Sequence, residues 1–418
     1  MAKNRRVVVT GIGAITPIGL NTQDFWESLK SGKSGAAKIT KFDSSKLNTH
    51  FACEVKDFDP LNYFDRKTAR RLDQFAQYAL AATAEAIEDS GIDPDNMSIE
   101  DKEQTGVLFG SGMGGMVTFD QQSVLNSKEG PSRISPFFIP MIIPDIAAGQ
   151  ISIKYGFKGP NYCVVSACAT ANNNMIDSFL IIRQGLAKTI VTGGTEAPLN
   201  EIGVGGFNSA RALSTRNDSP ETASRPFDAT RDGFVMGEGC GTMIIEELEH
   251  AVKRGAKIYG EIIGVGLSAD AYHITAPHPD GTGAILSMKM ALKTAGIKAD
   301  EIDYINMHGT STPLGDIGET KAIKTLFGDH AYKMNVSSTK SMTGHMLGAA
   351  GAVEGIATLL AVKNDIIPPT INFETPDPEC DLNYTFNKYE EKNVNIGMSN
   401  AFGFGGHNTS VVFKKYQE

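Results

Sequence analysis

The sequence predicts an α/β fold built from two similar halves. Apolar, β-branched runs that end in glycines alternate with helix-patterned stretches, which is the signature of a layered architecture with a mainly parallel sheet. The pattern then starts again. Tyr259-Gly-Glu-Ile-Ile-Gly-Val-Gly-Leu-Ser echoes the opening Arg6-Val-Val-Val-Thr-Gly-Ile-Gly, and the stretch from Met334 to Ala357 echoes the one from Asn161 to Ile182. These echoes divide the chain into residues 1–255 and 256–418. A length of 418 residues suits a substantial core and more than one folding unit.

Composition narrows the class. With 41% hydrophobic and 21% charged residues the chain reads as an ordinary globular protein. A net charge of −9 argues against nonspecific nucleic-acid binding. The basic start is followed only by Val7-Val-Val before Thr10, too short for a signal-peptide core, and no apolar run reaches membrane-spanning length. The five cysteines (Cys53, Cys163, Cys168, Cys240, Cys380) are scattered without a CxxC pair, pointing to reduced thiols, a cytoplasmic setting and no zinc site.

Taken in order, the first strand breaks into a glycine loop at Gly11 and Gly13. Thr16 occupies the position where a GxGxxG dinucleotide loop needs glycine, so no nicotinamide site is expected. Within 65–74, Arg66, Lys67, Arg70 and Arg71 would share one face of a helix. That face reads as solvated surface or as a dock for an acidic partner, with Arg133 extending it. A strand from Gln104 ends in glycines whose tip can line a cavity.

At Asn161 a strand feeds a buried helix through small residues around Cys168. The helix N-terminus favours the thiolate, although a lone cysteine is more often inert core. Two histidines change that balance. His308 follows the strand Ile302 to Met307, and His345 sits in Lys340-Ser-Met-Thr-Gly-His. Each alone fits a structural role; both at strand ends beside a nucleophile favour a site. The repeat would place Cys168 and His345 at related corners facing one centre. His273 and His278 suit a loop better than a metal site. Near the C-terminus, strands flank Gly403-Phe-Gly-Gly, which can aim a backbone N–H at a substrate oxygen.

Val165-Ser-Ala-Cys-Ala-Thr, His308-Gly-Thr-Ser-Thr-Pro and Lys340-Ser-Met-Thr-Gly-His together resemble the β-ketoacyl-acyl-carrier-protein synthases, acyltransferases that elongate chains in fatty-acid biosynthesis. The resemblance runs end to end, from Val8-Val-Thr-Gly-Ile-Gly to Gly403-Phe-Gly-Gly-His-Asn. It implies a duplicated αβαβα thiolase-like core and a homodimer. The Cys-His-His order resembles the elongating branch rather than initiating synthases, which carry Asn for the second histidine, or thiolases, which use a second cysteine.

The resemblance implies roles for further residues. Cys168 takes the acyl group from acyl carrier protein, with the N–H groups of Cys168 and Phe404 as the oxyanion hole. His308 and His345, as neutral donors, stabilise the enolate left when malonyl-acyl carrier protein loses carbon dioxide. Lys340 pairs with Glu354, which lies past His345 on the same helix. Thr310 and Thr312 bind the pantetheine arm. Met113 and Phe138 wall the acyl pocket, Phe138 from the other subunit, and Phe404 is its gate. Asn306, Glu354, Ser399 and Asn400 match a structural cation site of some relatives. No cofactor is implied beyond the phosphopantetheine of the carrier. Asn172-Asn-Asn and His407 depart from the commonest pattern and bear on chain length more than on the reaction.

Rival readings keep the same residues. A polyketide or polyene ketosynthase would use the same trio on another acyl chain. A chain-length factor lacks the nucleophile, so the intact Cys168 opposes it. A cysteine hydrolase would release free acid without losing carbon dioxide.

Overall fold

The computed structural model describes residues 5–417. Ten strands form its main sheet: β1 (Val7–Ile15), β2 (Thr105–Gly110), β3 (Asn161–Tyr162), β4 (Thr189–Glu196), β5 (Gly239–Glu247), β6 (Gly260–Ala269), β7 (Tyr304–Asn306), β8 (Asn335–Ser337), β9 (Ile396–Gly403) and β10 (His407–Lys414). Their order is β8-β7-β9-β10-β6-β1-β5-β4-β2-β3. Each strand of the second half therefore mirrors the strand five places earlier in the first. Within the main sheet the halves are joined edge to edge where Val7 to Val9 meet Gly260 to Ile262.

The sheet is mixed, not mainly parallel. β2 is parallel to β3 and β4, and β7 to β8 and β9, but β5 and β10 run antiparallel to their neighbours. The tight turn between β9 and β10 makes a hairpin, which forces that sense.

The longer helices include α1 (Gln74–Ser90), α2 (Met116–Glu129), α3 (Ile146–Tyr155), α4 (Thr170–Gln184), α5 (Thr282–Ala295), α6 (Pro313–Phe327) and α7 (Ala350–Asn364). Helices α1 and α3 cover one outer face, α5 and α6 the other, and α4 and α7 lie between the two half-sheets. The α/β/α/β/α order is the one expected. Residues Ala350 to Val362 of α7 are all buried, as a helix packed on every side must be.

The glycines that looked like a loop in the opening stretch lie inside β1. A Cβ on Gly11 would stand 2.2 Å from the Ala86 carbonyl oxygen, and one on Gly13 2.0 Å from that of Ala82. Helix α1 therefore packs directly on the strand. Gly264 and Gly266 of β6 meet α5 in the same way, at 2.4 Å from Ala291 O and 1.9 Å from Ser287 O. The sequence echo is a repeated packing requirement.

The basic segment is likewise not one helix. A single turn, Arg66–Ala69, is capped by Asp65, and α1 starts afresh behind its own cap, Asp73. Two capping carboxylates this close impose two helix starts, so Arg70 and Arg71 fall in the break.

Candidate active site

The nucleophile stands on a strained elbow. β3 lasts only two residues, and a loop and one 3-10 turn (Ala167–Ala169) intervene before α4. Ala167 has φ of 50°, left-handed for a non-glycine residue, which costs on the order of 1 kcal/mol. The second half repeats the device: Leu347 has φ of 47° and opens the turn Leu347–Ala349 before α7. Asparagines brace the first elbow. Asn174 accepts the Val164 N–H at 2.9 Å and donates to Gly193 O at 3.1 Å, while Asn173 donates to Ser166 Oγ at 2.5 Å. Asn172 is buried, and neither of its amide atoms hydrogen-bonds a described residue.

Cys168 lines a cavity of about 460 Å³ together with His308, His345, Thr310, Thr312 and Phe404. His345 Nε2 lies 3.0 Å from Cys168 Sγ. The two imidazoles are nearly perpendicular, with centroids 5.2 Å apart. His345 is not on the helix of Glu354: it precedes the Leu347 turn, where its backbone N–H donates to Val235 O at 2.7 Å. Thr310 and Thr312 hydroxyls are 3.0 Å apart on the wall. At the mouth, the Phe404 ring is tilted against Phe207 at 6.3 Å. A Cβ on Gly403 would stand 2.7 Å from Ser166 O and 3.2 Å from Cys168 N, so only glycine brings this turn against the elbow.

Electrostatics correct one expectation. Burial pushes the Cys168 thiol up to about 12, with Lys340 and the N–H groups of Phe404 and Cys168 pulling the other way. The thiol keeps its proton, because desolvation outweighs the helix terminus. Burial first, and then the Lys340 charge, hold both His308 and His345 well below the ordinary histidine range. Both rings are neutral. Lys340 Nζ is 2.5 Å from Glu354 Oε1 in a pair almost wholly removed from solvent.

Asn306, Glu354, Ser399 and Asn400 are all buried, with Ser399 beside Asn306 in the ladder. Asn306 Oδ1, Glu354 Oε2 and Ser399 Oγ hydrogen-bond no described residue, whereas Asn400 Oδ1 accepts from Ser410 Oγ at 2.8 Å. Three oxygens of the expected set are thus buried and unpartnered among the described residues, and the fourth is engaged.

Other expected residues lie away from the sulfur. Met113 is half-buried in the apolar cluster that includes Cys168 and Leu347. Phe138 does not line the cavity of its own chain; it packs on Phe119 at 6.2 Å. Arg66, Lys67, Arg70 and Arg71 are exposed, with Arg71 4.5 Å over the Phe137 ring. Arg133, also exposed, pairs with Glu129 at 3.1 Å. His273 and His278 lie in an exposed loop, and His407 is exposed next to Gly405.

Two buried carboxylates escaped the sequence reading. Glu319 accepts the His308 and Gly309 N–H groups, each at 2.9 Å, and so fixes the first histidine's loop. Glu196 gathers donors beneath the elbow. A charged residue closing the apolar run from Thr189 was the available signal.

Burial raises the Glu319 carboxyl from 4.5 to about 7, although the Gly309 and His308 N–H groups oppose it. A carboxyl raised in the fold contributes stability that is complete below about 4.5 and lost as pH climbs through about 7. The unfolding free energy from urea titration should therefore fall between about pH 5 and about pH 8, by up to ~3 kcal/mol from this group. Glu319→Gln should flatten that fall. An unchanged slope in the variant would contradict the assignment.

Residues 4–251 match the family model described as the β-ketoacyl synthase N-terminal domain, and residues 259–374 match the C-terminal domain. The chain is 52% identical over 416 residues to 3-oxoacyl-[acyl-carrier-protein] synthase 2 of Synechocystis, covering 99% of each. It superposes on a β-ketoacyl synthase from Burkholderia phymatum with a TM-score of 0.92 at 33% identity, covering 99% of this chain and 100% of that one. It also superposes, with a TM-score of 0.91 at 32% identity and the same coverage, on a type II polyketide ketosynthase solved with its acyl-carrier protein and bound to the hexaketide. A cysteine elbow facing two neutral histidines thus sits in a chain matched along nearly its whole length, and the chain belongs to the β-ketoacyl synthase family.

Proposed function

We propose that this chain is an elongating β-ketoacyl-acyl-carrier-protein synthase of fatty-acid biosynthesis. The observation that carries the reading is Cys168 Sγ at 3.0 Å from His345 Nε2, with the neutral His308 ring alongside in one cavity. Cys168 sulfur attacks the acyl thioester carbon, the bond to the pantetheine sulfur breaks, and the thiol proton ends on that departing sulfur. The Cys168 and Phe404 N–H groups, both directed at the sulfur, hold the oxyanion. The acylated site then takes malonyl-acyl carrier protein. The bond to the malonyl carboxylate breaks, carbon dioxide leaves, and the electron pair enters the thioester carbonyl. His308 and His345 N–H groups stabilise that enolate without removing a C–H proton, which suits their neutral state. The carbon attacks acyl-Cys168, the C–S bond breaks to give a β-ketoacyl chain two carbons longer, and the released sulfur takes a proton from solvent to restore the thiol.

In this reading Thr310 and Thr312 guide the pantetheine arm, and no cofactor takes part. Asn306, Glu354 and Ser399 would hold a structural cation that offsets buried oxygen charge near Lys340. We read the chain as two halves meeting near residue 255, working in the cytoplasm with its five free cysteines reduced. Among the described residues no helix is long and apolar enough to cross a membrane. A homodimer would cover exposed Phe119, Phe137 and Ile139 and the open edge at β3, and would carry Phe138 to its neighbour. A monomer by sedimentation would remove that part of the reading.

The enzyme should release one carbon dioxide for each β-ketoacyl product. Free fatty acid without carbon dioxide would instead indicate a hydrolase. A fatty-acid role is preferred to a polyketide one because identity to the 3-oxoacyl synthase is 52%, against 32% to the polyketide ketosynthase.

The exposed basic group supports docking of the acidic carrier. Reversing Arg66, Lys67, Arg70 and Arg71 should raise KM for carrier-bound substrates by at least ~tenfold at low salt, and far less for small acyl thioesters. Equal effects on both substrates would make the patch simple solvated surface.

A further inference from the structure

The loop after β6 is tied to itself by one side chain. Ala271, with φ of 48°, turns the chain off the strand. Within 272–277, the Thr275 and Ala276 N–H groups are the only backbone donors that make a hydrogen bond among the described residues. Both point at His273 Nδ1, at 3.1 and 3.0 Å. The Thr275 hydroxyl stands 3.4 Å from the same nitrogen. A backbone N–H can only donate, so Nδ1 accepts and the ring proton sits on Nε2. This loop meets the chemistry on two sides. Thr275, Ala276, Pro277 and His278 line the cavity of Cys168. Ile274 O accepts the Gly405 N–H at 2.8 Å, and Gly406 O accepts that of Asp270 at 2.9 Å, which bonds the loop to the turn carrying Phe404.

We propose that His273 is a positioning residue: its neutral ring fixes the mouth loop, and through Ile274 the Phe404 turn, and a proton taken up at Nδ1 loosens both. The inference rests on the condensing-enzyme reading and adds a residue that touches neither substrate nor sulfur. An imidazolium has donors on both nitrogens and cannot accept from Thr275 and Ala276. The ring is exposed, so solvent supplies the proton. Other ionisable groups of the packed segments have their own contacts. Asp270 accepts from Asn408 at 2.8 Å, His278 Nδ1 accepts the Asp280 N–H at 3.2 Å, and Asp316 of α6 pairs with Arg231 at 3.3 Å. The Tyr272 ring lies 5.1 Å from that of His278, and His407 stands beside Gly405. Arg211, Asp232 and Glu319 also line the cavity. Among the described residues, none of these hydrogen-bonds the His273 ring. Asparagine gives a variant blind to pH. Its carboxamide oxygen can accept from the N–H groups two and three residues on, as Asp65 does from Lys67 and Thr68 at 2.8 and 2.9 Å, without titrating.

The test is the rate at which decanoyl-pantetheine acylates Cys168, read by intact mass at about pH 8 and about pH 5.5, on either side of the range in which histidine changes charge. A small thioester leaves carrier docking out of the measurement. Glu196 and Glu319, both raised to about 7 by burial, titrate alike in every variant and cancel in a ratio taken at one pH. At about pH 8, His273→Ala should react roughly fivefold more slowly than wild type, and His273→Asn within about twofold of it. At about pH 5.5, wild type should fall roughly fivefold below His273→Asn. An asparagine variant as slow as the alanine one at the higher pH would overturn the inference and leave the enzyme reading standing. So would a ratio of wild type to His273→Asn that does not change with pH. A wild type that takes no acyl group at either pH would overturn both.

Discussion

His345→Ala is expected to stop decarboxylation while an acyl group still reaches Cys168. The enolate formed as carbon dioxide leaves carries its charge on the thioester oxygen, and two neutral N–H donors are available to it. Removing one such donor from a buried site costs about 3–4 kcal/mol, or roughly two to three orders of magnitude in rate. The 3.0 Å contact with Cys168 Sγ adds a smaller effect on acylation, about tenfold, because a buried sulfur loses its only imidazole neighbour at hydrogen-bond distance. His308→Ala should slow decarboxylation comparably and leave acylation near wild type, since no contact ties that ring to the sulfur. Stopped-flow acylation and labelled carbon dioxide release separate the two steps. Normal carbon dioxide release by His345→Ala would reject the assignment.

The second large effect is expected at Lys340. Lys340 and Glu354 are 1% and 3% exposed, and removing one partner leaves the other charge buried. Breaking such a pair costs about 3–5 kcal/mol. Burial has already raised Glu354 from 4.5 to about 7, against the pull of Lys340. A Lys340→Met enzyme can therefore escape part of the cost by protonating the carboxyl, and its loss of urea stability should be smaller at about pH 6 than at about pH 8. Glu354→Leu added to it should restore much of the loss. The pair also reaches the chemistry. Lys340 stands second to burial among the causes that keep both imidazoles neutral, so without it the acidic limb of the rate profile should move to higher pH. A stability loss independent of pH with an unmoved limb would show Lys340 to be only a packing element.

The sequence made the chemistry more legible than the framework that aims it. Cys168, His308 and His345 stood out because small residues and glycines surround reactive side chains at strand ends. The repeat was legible because the same close helix approach needs glycine at Gly11 and Gly13 and again at Gly264 and Gly266. Strand direction was not legible: apolar runs alone do not distinguish the antiparallel β5 and β10 from their parallel neighbours. The basic segment misled because spacing alone ignored Asp73, whose cap starts a new helix. The thiol's protonation escaped for a different reason. A helix terminus is visible in sequence, but the depth of burial that outweighs it depends on packing from both halves. Glu196 and Glu319 were missed because most of their partners are backbone N–H groups, which leave no mark in side-chain patterns.

The most direct test of the central claim is the intact mass of the protein after mixing with hexadecenoyl-acyl carrier protein, followed by malonyl-acyl carrier protein. Wild type and Cys168→Ser would be run side by side. The predicted result is an acyl adduct on wild type, absent from the serine variant, that malonyl-acyl carrier protein discharges as a β-keto chain two carbons longer. An adduct of equal size on both proteins, or one that malonyl-acyl carrier protein leaves in place, would contradict the account.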